Sequence, residues 1–113
     1  MAPSMMPPPD PDSLATFEEL AAELAQRAPV VRAQMFGMPS LRRIGGKHFA
    51  SIWGEDLVVK LVDPQAREAA LALEGAHLFA PMPGREMREW VQVPTVHRQA
   101  WADLVPQAEA GLG

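Results

Sequence analysis

Apolar residues recur every three or four positions across residues 13–28, which is the spacing of an amphipathic helix. Asp12 or Ser13 is suited to cap its first turn, and Pro29 cannot continue it, so we predict one helix between these points. The apolar face of this helix is formed by Leu14, Phe17, Leu20, Ala21 and Leu24.

The pattern changes after Pro29 to short apolar runs separated by glycine-containing breaks, which is typical of strands. Gly45 and Gly46 suit a tight primed turn, because such a turn needs positive φ at both central residues. Connections this short make neighbouring strands antiparallel. We predict strands over residues 30–36, 41–44, 47–53 and 57–62, with breaks at 37–39, 45–46 and 54–56.

The last third of the chain alternates between helical and extended patterns. Because Pro106 lacks a backbone donor, the final helix should kink or stop near Val105. We predict a second helix from Asp63-Pro64 to about Glu74, a loop over residues 76–86, a strand over 87–93 and a final helix capped by Thr95.

These elements follow the order α-β-β-β-β-α-β-α, which indicates an α+β fold. We expect an antiparallel sheet of about five strands with helices before, within and after it. The first twelve residues contain five prolines and are predicted to form an extended arm. Residues 13–110 are predicted to form a single domain, as the length of 113 residues suits.

The composition excludes some kinds of site and indicates the cellular compartment of the protein. The chain has no cysteine, which excludes disulfides, thiol nucleophiles and cysteine metal sites. No apolar run approaches the ~20 residues of a membrane span, and no secretory signal is evident at the N-terminus. We therefore expect a cytoplasmic protein.

The charge is distributed unevenly around the predicted hairpins. The net charge is −4, yet residues 30–62 hold five of the ten basic residues and only two of the fourteen acidic ones. A basic β-ribbon can enter a nucleic-acid groove, whereas a solvated hairpin or one facing an acidic partner explains the same residues. The basic side chains near this hairpin tip are Arg42, Arg43, Lys47 and His48.

A second set of candidate contact residues lies on the later strands. Lys60 stands among valines and leucines, so it either extends to solvent, pairs with a carboxylate, or binds an anion or a partner. Trp90 lies between polar neighbours and serves either core packing or an interface. Together with Arg85 and Arg88, these side chains form a candidate pocket for a small anionic ligand.

Catalytic, metal and cofactor patterns are not recognised. His48, His77 and His97 are scattered and show no ligand spacing. The glycines match neither a dinucleotide fingerprint nor a phosphate-binding loop. Ser and Thr residues lack the context of a catalytic triad. We therefore expect no catalytic residues, no metal and no cofactor.

Several short motifs, in their order and spacing, resemble the TfoX N-terminal-domain family over residues 12–110; the related MmcQ/YjbR group has a similar arrangement. The resemblance implies a secretion-chaperone-like antiparallel sheet packed with helices, and a domain that often forms dimers. It also implies a regulatory role, since family members include regulators of natural competence. The motifs are Met35-Phe36-Gly37, the Gly45-Gly46 hairpin, FASI at 49–52, DLVVKL at 56–61 and MREWVQVP at 87–94.

The sequence therefore predicts a non-enzymatic interaction or regulatory domain that is homodimeric. Two alternatives stay open at this point: a nucleic-acid-binding regulator that uses the hairpin of residues 42–47, and a domain that binds a small anion. A protein partner is compatible with the first prediction.

Overall fold

Residues 7–113 are described in a computed structural model of the chain. The helices and strands are α1 (Pro11–Ala25), β1 (Val30–Met35), β2 (Met38–Arg43), β3 (His48–Trp53), β4 (Asp56–Lys60), α2 (Pro64–Leu71), β5 (His77–Phe79), β6 (Met87–Val93), a 3₁₀ segment (Thr95–Ala100) and α3 (Trp101–Ala110).

The strands form one antiparallel sheet, which confirms the predicted α+β class. Six strands are present in the described residues, in the spatial order β1-β2-β3-β4-β6-β5. The additional strand is β5, which lies inside the segment predicted as a loop over residues 76–86. That prediction is wrong because a three-residue strand is too short to show an alternating pattern.

Helix α1 begins two residues earlier than its apolar pattern indicates. Its cap is Asp10, whose carboxylate accepts a hydrogen bond from the Ser13 backbone N–H at 3.0 Å. Pro11 occupies the first turn, where its missing donor costs nothing. The predicted caps, Asp12 and Ser13, therefore lie inside the helix.

The predicted arm of residues 1–12 lies partly outside the described residues, which begin at Pro7. Pro7 packs beside Gly54 in the turn between β3 and β4. The Asp10 N–H donates to the Gly54 carbonyl oxygen at 2.8 Å. The entry to α1 is therefore fixed to the sheet.

The primed turn occurs at a different hairpin from the one predicted. Phe36 and Gly37, between β1 and β2, both have positive φ, at 53° and 83°. In the Gly45-Gly46 hairpin only Gly45 does, at 71°, and the connection spans residues 44–47. Two residues suffice for the first turn, so the break predicted at 37–39 is wrong beyond Gly37, and β2 begins at Met38.

The final helix passes through its proline. Pro106 lies inside α3, which continues to Ala110, so the predicted stop near Val105 is wrong. Val105 and Ala108 are fully buried on either side, and this packing outweighs the lost hydrogen bond. The break comes earlier, where His97 has non-helical dihedrals and residues Thr95–Ala100 form a 3₁₀ segment.

The main core lies between one face of the sheet and all three helices. A β-bulge enlarges it: pairing passes from Leu41 opposite Ala50 to Arg42 opposite His48, which leaves Phe49 as an extra residue. Phe49 and Ala50 both join the main core as a result. The largest side chains buried there are Trp101, Phe17, Phe49, Leu41, Ile52, Leu57 and Leu61.

A hydrogen-bond network joins the start of α1 to the turn between β3 and β4 and to the end of β6. The Asp56 carboxylate accepts hydrogen bonds from the Gln92 amide at 2.8 Å and from the Thr95 backbone N–H at 3.2 Å. The Ser13 hydroxyl donates to the Glu55 carbonyl oxygen at 2.7 Å. No helix formed by residues 7–113 has the length and apolar character needed to cross a membrane.

Candidate functional site: the helix-free face of the sheet

No helix formed by residues 7–113 packs on the second face of the sheet, and we call it the helix-free face. The buried apolar residues of α1, α2 and α3 all belong to the main core. Strand alternation directs every second residue of the sheet away from that core. These residues form a second cluster, the open-face cluster, which consists of Met35, Met38, Val58, Phe79 and Trp90, with Trp53 and Met87 at its border.

The sheet curves so that the open-face cluster covers itself. The rings of Trp53 and Phe79 meet edge to face, with centroids 5.1 Å apart and planes at 71°. They come from β3 and β5, which are three positions apart in the sheet. A flat sheet would separate these strands by about 14 Å, given ~4.8 Å between neighbours. The face is therefore concave and shelters Val58 and Phe79 completely.

Phe36 lies at the margin of this cluster in a strained conformation. Its φ is 53°, a region that bulky side chains rarely adopt, and its side chain is 69% exposed. Strain of this kind persists where the surrounding structure imposes it, and it marks candidate functional positions. Phe36 is not among the residues predicted from the sequence. A bulky residue before a glycine, between two strands, is the signal that could have indicated it.

The two arginines before the Gly45-Gly46 hairpin lie on opposite faces. Arg43 points to the helix-bearing side, where its Nη2 donates to a Glu109 carboxylate oxygen and to the Glu109 carbonyl, both at 2.7 Å. Its Nη1 donates to the Gly113 carbonyl at 2.8 Å. Arg43 therefore anchors the end of α3, and its guanidinium is occupied.

Arg42 lies on the helix-free face, directly opposite His48. The pKa of His48 is lowered, first by burial and then by the neighbouring Arg42 charge. Lys47, in the hairpin connection, is exposed. Of the predicted basic hairpin cluster, Arg42 and His48 stay together, whereas Arg43 leaves it for the helix-bearing side.

Ser40 and His48 form a serine–histidine pair, but the serine is inaccessible. The Ser40 hydroxyl lies 2.9 Å from His48 Nδ1 and 3.1 Å from the Ala50 carbonyl oxygen, within hydrogen-bond distance of both. Ser40 is fully buried, so a substrate could not reach its hydroxyl. The histidine therefore supports the strand pair.

The predicted anion residues are brought together only in part. Lys60 and Trp90 are direct cross-strand partners, and Arg88 shares their face because it precedes Trp90 by two positions. Lys60 Nζ lies 3.9 Å from the Glu89 carboxylate, and its side chain is 15% exposed. Arg85 lies apart, in the loop between β5 and β6.

An open cleft of about 390 Å³ lies beside Arg88, lined by Ala80, Gly84 and Glu86 as well. Lys60 and Trp90 are not part of its lining, and Glu86 contributes a negative charge. Among residues 7–113, no three His, Asp or Glu side chains gather closely enough to hold a metal ion.

Comparison of the chain with protein-family models, with curated proteins and with solved structures gives no match. The resemblance to the TfoX N-terminal-domain family therefore stays a prediction that rests on the sequence motifs.

Proposed function

We propose that this protein is a non-enzymatic interaction domain of the TfoX N-terminal-domain type, which acts in regulation as a homodimer. The observation that carries the proposal is the division of the sheet into a helix-covered face and a helix-free face that ends in an exposed Phe36. Phe36 is 69% exposed, and aromatic side chains are enriched in protein interfaces.

Two further observations support an interaction role over a catalytic one. The one serine–histidine pair among residues 7–113 that is joined by a hydrogen bond, Ser40–His48, has a fully buried hydroxyl that a substrate could not reach. Arg43, part of the basic hairpin on which the nucleic-acid alternative depends, is bound to Glu109. The remaining charges, on half-buried Arg42 and exposed Lys47, are a small basis for phosphate binding.

Sedimentation velocity over a concentration series tests the proposal. We expect the sedimentation coefficient to rise from that of the 12.3 kDa monomer towards that of a dimer at micromolar concentrations. A monomer that persists at high micromolar concentration would contradict the homodimer.

A small anion at Lys60, Arg88 and Trp90 is a second candidate, favoured by the direct pairing of Lys60 with Trp90. Thermal unfolding in the presence of inorganic phosphate and of nucleoside monophosphates tests it, because a ligand that binds the folded state must raise Tm. Lys60→Met should abolish the rise. A Tm that no phosphate compound changes would eliminate this candidate.

A further inference from the structure

The two edges of the sheet are built differently. At one edge, β5 is three residues long and its register shifts between Leu78 and Phe79. At the other edge, β1 has six residues, contains no proline and pairs with β2 in an unbroken register. Short strands, irregular register and prolines protect sheet edges against pairing with another chain. Strand β1 has none of these protections.

The single charge on β1 is turned away from the open edge. Arg32 forms a bidentate ion pair with Glu18 of α1, with Nε–Oε1 at 2.6 Å and Nη2–Oε2 at 2.8 Å. Its guanidinium also lies 5.8 Å from the Phe17 ring centroid. The charge is thus fixed over the helix-bearing face, where it does not obstruct an approaching strand.

The backbone of β1 presents an unused row of donors and acceptors. The Ile44 N–H donates to the Pro29 carbonyl at 2.8 Å, which continues the register of β1 with β2 and shows which residues point inward. By alternation, Val31 and Ala33 direct their peptide groups towards β2, and Arg32 and Gln34 direct theirs outward. No strand in residues 7–113 pairs with this outer side.

We propose that the outer edge of β1 pairs antiparallel with β1 of a second copy, about a two-fold axis at Ala33. This inference rests on the proposed homodimer and assigns its interface. With the axis at Ala33, Arg32 lies opposite Gln34 of the second copy, and Gln34 opposite its Arg32. The outward N–H and carbonyl groups of Arg32 and Gln34 are then all paired, which forms four hydrogen bonds and joins two sheets into one of twelve strands.

The side chains agree with this register. On the helix-free face, Ala33 meets Ala33 of the second copy, and Val31, which is 38% exposed, meets Met35. Phe36 falls level with Val30 of the second copy, at the end of the paired strands. A register centred on Arg32 would place the two Arg32 side chains opposite each other, whereas the Ala33 register places each Arg32 opposite Gln34. This difference favours the Ala33 register over the one centred on Arg32.

Cysteine substitution tests this geometry, because the chain has no cysteine of its own. Ala33 occupies a position whose counterpart lies about 4.5 Å away between Cα atoms, within the range of a disulfide. Under oxidation with copper-phenanthroline, Ala33→Cys should give a covalent dimer. Val31→Cys alone should not, whereas Val31→Cys mixed with Met35→Cys should. Val96→Cys, at a 79% exposed site, measures random collision.

A non-covalent variant tests the same edge. Gln34→Pro removes an outward-facing N–H and leaves the bonds between β1 and β2 intact, so we expect dimer affinity to fall at least tenfold. Gln34→Ala keeps the N–H and should dimerise normally. Circular dichroism shows whether both variants fold. If Gln34→Pro does not fold, the cysteine crosslinking experiment alone tests the β1 interface.

The outcomes separate the two proposals. If the unmodified chain sediments as a dimer but Ala33→Cys crosslinks no more than Val96→Cys, the β1 interface is wrong and the homodimer stands. If the unmodified chain is a monomer at high micromolar concentration, the homodimer itself fails. If Val31→Cys alone crosslinks as well as Ala33→Cys, the register is wrong.

Discussion

Ser40 and Ser51 lie directly opposite each other on β2 and β3, and both are fully buried, yet within residues 7–113 only one hydroxyl has a hydrogen-bond partner. The Ser40 hydroxyl lies within hydrogen-bond distance of His48 and of the Ala50 carbonyl. The Ser51 hydroxyl has no partner among the described residues. The floor of the helix-free face thus contains one satisfied polar group and one that burial penalises.

Alanine at these two positions should therefore have opposite effects. Ser40→Ala removes a hydroxyl that is used in hydrogen bonding and leaves His48 Nδ1 without this partner, which should lower the free energy of unfolding by about 1–3 kcal/mol. Ser51→Ala removes an unpaired group and should leave stability unchanged or raise it by up to about 1 kcal/mol. Urea unfolding of both variants is the measurement. Equal destabilisation would show that Ser51 has a partner.

Arg43 should matter for stability. It joins β2 to α3 across 66 positions of sequence, and removing it leaves the Glu109 carboxylate without its partner. Arg43→Ala should lower the free energy of unfolding by about 1.5–3 kcal/mol. The control is Arg27→Ala, because Arg27 lies 3.8 Å from Glu23 on an exposed helix surface. Its loss should cost less than about 0.5 kcal/mol. Similar losses in the two variants would contradict the anchoring role.

His48 should make stability depend on pH. Its pKa in the folded protein lies below the ordinary value of 6.5, so the folded state binds fewer protons than the unfolded state as pH falls. The stability that this contributes is complete above pH 6.5 and declines as pH falls from 6.5 towards the folded-state pKa. His48→Gln, which retains a donor for Ser40, should show a smaller decline. Urea unfolding at several pH values compares the two, and identical pH profiles would contradict it.

A substitution that relieves the backbone strain at Phe36 should stabilise the fold and weaken the dimer. Phe36→Asn places a residue that tolerates positive φ at a turn that prefers Asn-Gly. We expect Tm to rise, equivalent to about 1 kcal/mol of strain released. Dimer affinity should fall, because the exposed ring is lost from the interface. A variant with lower Tm would show that Phe36 packs favourably within its own chain.

Much of the fold follows from local patterns, and the site does not. The strands 30–35, 48–53 and 87–93 and the helices show regular apolar spacing, which is a property of neighbouring residues. Strand β5 is missed because its pairing with β6 stabilises it, and the passage of α3 through Pro106 depends on buried neighbours. Neither contact can be predicted from residues that are neighbours in the sequence.

The candidate site depends on contacts that are distant in sequence. Adjacent arginines predict a shared basic cluster, but strand alternation places Arg42 and Arg43 on opposite faces, and only the folded chain shows Glu109 beside the second. The meeting of Trp53 with Phe79 likewise requires a curved sheet. The open edge of β1 becomes visible only when the strand order is known.

Hydrogen exchange of the Arg32 and Gln34 amides, measured at low and at high protein concentration, tests the central claim most directly. Both N–H groups point outward from β1, so they should exchange fast in the monomer. At concentrations where sedimentation shows a dimer, we predict that both become protected, whereas the amides of the exposed hairpin residues Gly45 and Lys47 do not change. Unchanged exchange at Arg32 and Gln34 in a proven dimer would contradict pairing through β1.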